Sequence, residues 1–215
     1  MAPPRDATEP RTRVPNQWGQ GGRLREEILQ AASRLIEAGA GTEDDLSLRA
    51  IARETGVAAP SIYRHFADRT QIVREVVAGA WAALAAELDA AGRGVPDGDS
   101  RGRLGAMAGA YGRFAARRPR HYRLMLLFER GRSSKELPPG HPARHVFDTW
   151  RDAAARFLAD HLDRPQDPDT LAHLLWTGLH GQIGLRPVLP PPADGGGAED
   201  ARTALIDALL GPLPD

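Results

Sequence analysis

The stretch Leu46 to Phe66, LSLRAIARETGVAAPSIYRHF, constrains the local fold more than any other part of the chain. Ser47 is placed to cap a short helix carrying Leu48, Ile51 and Ala52. Gly56 follows and supplies the positive φ that a sharp exit requires. Pro60 then suits the first turn of another short helix, Ser61 to Phe66, because its missing N–H would have had no intrahelical partner there. Ala52 is small where two such helices would approach closely, while Ile51, Val57 and Ile62 can fill a shared core. The polar side of the later helix carries Ser61, Tyr63, Arg64 and His65, groups able to reach base edges and phosphate oxygens in a major groove. These sizes and spacings predict a helix-turn-helix.

The flanking sequence is helical as well. Leu24, Ile28, Ala31 and Leu35 fall on one stripe that Gly39 and Gly41 stop. Asp68 can cap a long helix, with Gln71 reaching back as in a capping box, and Ile72, Val76, Ala80, Leu84 and Leu88 repeat every four residues up to a 92–100 linker. Further helices are expected over 101–117, 119–130, 142–163, 168–186 and 198–211. Pro119, Pro142 and Pro168 stand near helix starts, and Asp167 is placed as a cap. No strand pattern competes, so the fold class is all-α. Residues 187–197 read as a surface loop. Residues 1–21 have no periodicity and read as a flexible arm.

Composition bounds the function. Lys and Arg total 28 against 28 Asp and Glu, so any case for nucleic-acid binding must be local rather than whole-chain. Cysteine is absent, which removes disulfides, thiolate metal sites and cysteine nucleophiles and suits a reducing compartment. With no apolar run at the start and none long enough to span a bilayer, the expectation is a cytoplasmic protein without membrane attachment.

The run Ile28, Leu29, Ala31, Ala32, Leu35, then Ile51, Ala52, Gly56, Val57, Ile62, Tyr63, His65 and Phe66, closing with Arg69 and Ile72, resembles the DNA-binding domain of the TetR family over about residues 23–75. The resemblance implies a three-helix DNA-binding head at 22–75. A long fourth helix would join it to a helical ligand-binding and dimerisation domain at 76–215. It implies that Ser47 and Arg49 touch the DNA backbone, that Pro60, Ser61 and Arg64 face base edges, and that Tyr63 and His65 contact phosphate. Arg69 stands where the family commonly has lysine, and would hold a phosphate with a forked rather than a compact charge.

Two positions depart from the family pattern. Ala58 stands where serine often caps the third helix, and losing such a cap costs about 0.5–2 kcal/mol. The acidic run Glu43, Asp44, Asp45 reads as a solvated loop turned away from DNA. In the arm, Arg11 and Arg13 could enter a minor groove, although Asp6 and Glu9 dilute the charge and a disordered tail is the plainer reading.

The remainder carries aromatic and histidine side chains that could line a ligand pocket: Tyr111, Phe114, Tyr122, Met125, Phe147, Trp150, Trp176 and His180. Helical spacing makes most of them core residues, with a few left to line a cavity. Trp176 to Gly181, WTGLHG, resembles the Trp-His-Gly motif of one C-terminal domain type in the TetR family. His173 and His180 lie two turns apart on one face, but no carboxylate or cysteine joins them, and no metal or other cofactor is expected. Leu171, Leu174, Leu175, Leu179, Leu205, Ile206, Leu209 and Leu210 suit either a dimer interface or a monomer core. Gly178, Gly181 and Gly184 would permit a close helix approach at that seam.

Together these features point to a homodimeric repressor of double-stranded DNA with a palindromic operator, released by an unknown small-molecule effector, and not to an enzyme. The alternatives are a helix-turn-helix protein acting through protein contacts and a ligand-independent regulator.

Overall fold

The structure, a computed structural model, describes residues 21–39, 46–128, 140–188, 190 and 196–211. Among these it is helical without strands: α1 (Gly21–Ala38), α2 (Leu48–Thr55), α3 (Ala59–Tyr63), α4 (Arg69–Arg93), α5 (Ser100–Arg117), α6 (Pro119–Phe128), α7 (Pro142–Asp160), α8 (Pro168–Leu185) and α9 (Ala198–Leu210). The chain separates into two compact units, Met1–Val76 and Val77–Asp215. Arg11 and Arg13 of the arm and the acidic loop Glu43 to Asp45 lie outside the described residues, as does most of the 187–197 loop.

In the first unit, Leu24, Ile28, Ala31 and Ala32 of α1 pack with Ile51 and Ala52 of α2, Ile62 of α3, Phe66, and Ile72 and Val76 of α4. Removing this apolar surface from water is the main stabilising term. Ion pairs tie the helices at the rim. Arg34 pairs with Glu54 at 2.9 Å, while Arg25 pairs with Glu75 and lies over the Phe66 ring at 5.0 Å. Exposed pairs of this kind contribute about 0–1 kcal/mol each, so the apolar core decides the fold.

The second unit is organised around α5, α7 and α8, whose Leu104, Trp150, Phe157, Leu171 and Leu175 are buried. Asp167 caps α8 as expected, its Oδ1 accepting the N–H groups of Asp169 (2.9 Å) and Thr170 (3.1 Å). These bonds, with the Thr170 hydroxyl foremost, hold its carboxyl below the ordinary carboxylate range. The α7 helix ends at Asp160 rather than 163, where the imidazole Nδ1–H of His161 turns back onto the Phe157 carbonyl at 2.8 Å. Two arginines hold the C-terminal carbonyls of α9, Arg101 on Gly211 O (2.8 Å) and Arg164 on Leu209 O (3.0 Å). No helix among the described residues is long and apolar enough to cross a membrane.

The seam between α8 and α9 refines the expectation for the three glycines. A Cβ on Gly178 would come within 2.9 Å of Leu205 Cδ2, so that glycine serves close packing inside the chain. Gly181 and Gly184 face open space. Leu171, Leu175, Leu179, Ile206 and Leu210 are buried within the chain, Leu205 and Leu209 are half-buried, and Leu174 stays 41% exposed.

Candidate functional site

The turn between α2 and α3 is set by backbone hydrogen bonding. Gly56 sits at φ 68°, ψ 27°, its N–H donates to Arg53 O (3.3 Å) and the Val57 N–H donates to Ala52 O (3.0 Å). This paired closure satisfies carbonyls that the helix end would leave open. No atom lies within 4 Å of a Cβ built on Gly56, so glycine is needed for its backbone angle and not for space. Ser47 caps α2, its Oγ accepting the Ala50 N–H at 3.1 Å. The hydroxyl still has its own hydrogen to donate.

The α3 helix begins and ends earlier than the sequence suggests, Ala59–Tyr63 instead of Ser61 to Phe66. Ala58 occupies its N-cap in extended conformation with no side-chain hydrogen bond, and the Pro60 ring falls in its first turn. The winding carries on for a few residues, since the His65 and Phe66 N–H groups both reach Ile62 O. Ile62 is buried, while Pro60, Tyr63 and Arg64, spaced for the opposite face, are exposed. Arg64 Nη2 donates to Ser61 Oγ at 3.0 Å, which ties two of the expected base-facing residues together. Ser47 and Arg49 are exposed at the start of α2, and Ser61, His65 and Arg69 are half-buried. Asp68 caps α4 through the Gln71 N–H at 2.8 Å, but Gln71 Oε1 returns to Ala67 N, one residue before the cap. Arg49, Arg53, Arg64 and Arg69 stand against Glu54 and Asp68, and Glu54 is already paired with Arg34. Over residues 46–69 the balance is therefore basic although the whole chain is neutral.

In the second unit an aromatic cluster surrounds a buried polar chain. Trp176 Nε1 donates to the Tyr111 hydroxyl at 3.1 Å, the Tyr111 and Tyr122 hydroxyls are 3.0 Å apart, and the Tyr122 hydroxyl is 2.6 Å from His180 Nδ1. An indole N–H can only donate, so direction follows by satisfying every proton. Tyr111 donates to Tyr122, Tyr122 donates to Nδ1, and His180 is neutral with its proton on Nε2. The reverse order would leave the Tyr111 hydrogen without an acceptor in a buried place. Burial pushes Tyr111 up to about 12 and, with the neighbouring Tyr111, drives Tyr122 higher still. Burial also lowers His180 below its ordinary value, in agreement with the neutral ring.

Of the expected ligand-site residues, the structure joins Tyr111, Tyr122, Trp176 and His180 by hydrogen bonds. Trp150 meets the Tyr111 ring at 6.4 Å between centroids, and Phe147 meets Trp176 at 6.3 Å. Phe114 and Met125 are buried but take no part in that chain; Phe114 lies under the Arg118 guanidinium at 5.3 Å. His173 packs against Phe147 at 5.0 Å. Among the described residues no group of three His, Asp or Glu side chains could hold a metal ion. Sequence reading missed Trp81, which meets Trp176 edge-on at 6.0 Å. Its position beside Ala80 in the α4 repeat gives no sign that separates it from ordinary core.

Residues 28–76 match the family model for bacterial regulatory proteins, tetR family, and residues 104–209 match the one for the tetracyclin repressor-like C-terminal domain. Similar solved structures include a protein of unknown function from Rhodococcus sp. RHA1, 26% identical, with TM-score 0.75 over 91% of this chain and 97% of that one. The TetR family transcriptional regulator PfmR from Thermus thermophilus is 20% identical, with TM-score 0.60 over 87% of this chain and 99% of that one. FadR from Bacillus subtilis, solved in complex with stearoyl-CoA, is 10% identical, with TM-score 0.64 over 87% and 99%. These last two are likenesses of fold. No curated protein matches the sequence.

Proposed function

The chain belongs to the TetR family of transcriptional regulators, and from that premise we propose that it is a homodimeric repressor that leaves a palindromic operator when a small molecule occupies its second unit. The observation that carries the DNA-binding part is the exposed face of α3, where Pro60, Tyr63 and Arg64 stand opposite buried Ile62 behind a hydrogen-bonded turn. In this reading Pro60, Ser61 and Arg64 face base edges. Ser47, Arg49, Tyr63, His65 and Arg69 hold phosphates and fix the register.

Pairing of two copies is supported by the outer face of α8, where Leu174 and Leu185 stay exposed and a Cβ at Gly181 between them would meet nothing. Release is a matter of head spacing. Two heads must enter grooves about one helical turn apart, so a ligand that favours another spacing weakens specific binding without unfolding either head. The α4 helix supplies residues to both units, which suits it to carry that change. FadR, a protein of the same fold, was solved with stearoyl-CoA, which supports a small-molecule role for the fold without assigning that ligand to this chain.

The test is fluorescence anisotropy of the purified protein on the intergenic DNA flanking its gene, across a salt series and against random DNA. Specific binding that weakens steeply with salt is expected. Arg64→Ala should lower affinity about tenfold to a hundredfold with the fold intact. The zero net charge favours one other reading, a head used for protein contacts. Unchanged DNA affinity in both Arg64→Ala and Tyr63→Ala would support it instead.

A further inference from the structure

The aromatic cluster has an unbalanced inventory of hydrogen-bonding groups. Trp81 and Trp150 are 3% and 0% exposed, and the indole Nε1 of each is buried without a hydrogen-bond partner among the described residues. Each meets a member of the buried chain edge-on, Trp81 against Trp176 and Trp150 against Tyr111. The chain itself is directional and ends on the His180 Nε2–H. The buried side-chain atoms of the cluster without a partner among the described residues are both N–H donors, those of Trp81 and Trp150, and the neutral His180 ring adds a third N–H at Nε2. Indole N–H groups buried in this way ordinarily find a partner, and the described residues supply none to these two.

Charge narrows the chemistry further. The cluster contains no Arg, Lys, Asp or Glu, and Ser100 and His121 are the only buried polar residues elsewhere among the described residues. A carboxylate placed among these rings would lose its hydration with no cation to pair it, and an ammonium would meet three donors. The lowered basicity of His180 keeps that ring from serving as the cation. Phe147, Trp176 and His180 are half-buried, so this side of the cluster borders solvent.

Resting on the reading of the second unit as an effector site, we propose that this cluster binds a neutral, largely apolar compound whose carbonyl oxygens accept the N–H groups of Trp81, Trp150 and His180. The rings supply the apolar walls, and the Tyr111 to His180 chain fixes the histidine tautomer that presents Nε2–H.

The test uses matched probes on the full-length protein: menadione, methylnaphthalene and naphthoate as one set, benzophenone, diphenylmethane and diphenylacetate as the other. The chain has no cysteine, so menadione forms no thiol adduct. Melting-temperature shifts and calorimetric affinities are compared within each set. The expected result is binding confined to the carbonyl members, and about three- to tenfold weaker carbonyl binding in Trp81→Phe and Trp150→Phe, which keep a ring but lose the donor. The class is overturned if the hydrocarbon or the carboxylate binds as well as the carbonyl compound, if neither carbonyl probe binds, or if both phenylalanine variants keep full affinity. Should a variant misfold by circular dichroism, the wild-type comparison decides alone. Operator binding is measured with the same probes. A carboxylate or hydrocarbon that binds and releases DNA sinks the ligand class but leaves effector control standing, whereas a carbonyl probe that binds without altering DNA affinity does the opposite.

Discussion

The Tyr122 hydroxyl lies 2.6 Å from Nδ1 of His180 and joins two helices through residues 58 positions apart in the chain. Protonating that nitrogen would reverse the chain running back to Tyr111 and Trp176 and strand a hydroxyl hydrogen. This one bond therefore makes the second unit sensitive to pH.

On the acid side, burial holds the folded His180 pKa below the ordinary 6.5. The unfolded chain then takes up the proton first as pH falls. The stabilisation is full above about 6.5 and is lost as pH drops through the lower folded value. His180→Asn keeps an acceptor for Tyr122 but cannot ionise, so its melting temperature should fall less on acidification than that of the wild type. Equal acid slopes would remove His180 from the account.

On the alkaline side, burial raises Tyr111 from 10.0 to about 12 and Tyr122 further. The unfolded chain loses these protons first, so stability is full below pH 10 and declines as pH rises toward the folded values. In Tyr63→Phe, which leaves only Tyr111 and Tyr122 to report, tyrosinate absorbance should stay flat through about pH 10 and rise together with loss of helical circular dichroism. Absorbance rising while the helices remain intact would mean that the hydroxyls are not sequestered.

Ala58 holds the N-cap of α3 at φ −70°, ψ 140°, an extended conformation that serine adopts easily, and its side chain accepts no hydrogen bond. Ala58→Ser should supply the missing acceptor and stabilise the first unit by about 1 kcal/mol. The readout is a higher urea midpoint at unchanged slope. No gain would mean that the Pro60 turn already satisfies this helix start.

Leu174 and Leu185 are 41% and 51% exposed on α8. A double substitution to glutamate should leave the monomer folded, because neither side chain is part of the chain's own buried core, but place like charges in an interface between copies. Sedimentation should then report a monomer, and affinity for a palindromic site should fall while affinity for a half-site holds. A variant that remains dimeric would locate the interface elsewhere.

What the sequence determined by itself is local. Gly56, Pro60, Ser47, Asp68 and Asp167 act through their own backbone angles or through hydrogen bonds to residues two to four positions away, so turns and caps can be read from order alone. The buried stripe of α1 and the small Ala52 were legible for the same reason, since helical period fixes which side chains share a face. The start of α3 moved by two residues and its end by three, because a five-residue helix is held chiefly by what Ile62 packs against. Only the tertiary structure decided the second site. Trp81, Tyr111, Tyr122 and Trp150 come from four separate helices and Trp176 and His180 from a fifth, and a hydroxyl reaching a particular imidazole nitrogen depends on how those helices cross. Gly178 makes the same point, because its room is taken by Leu205 of a different helix, and nothing in the spacing of the glycines distinguishes it from Gly181, which faces open space.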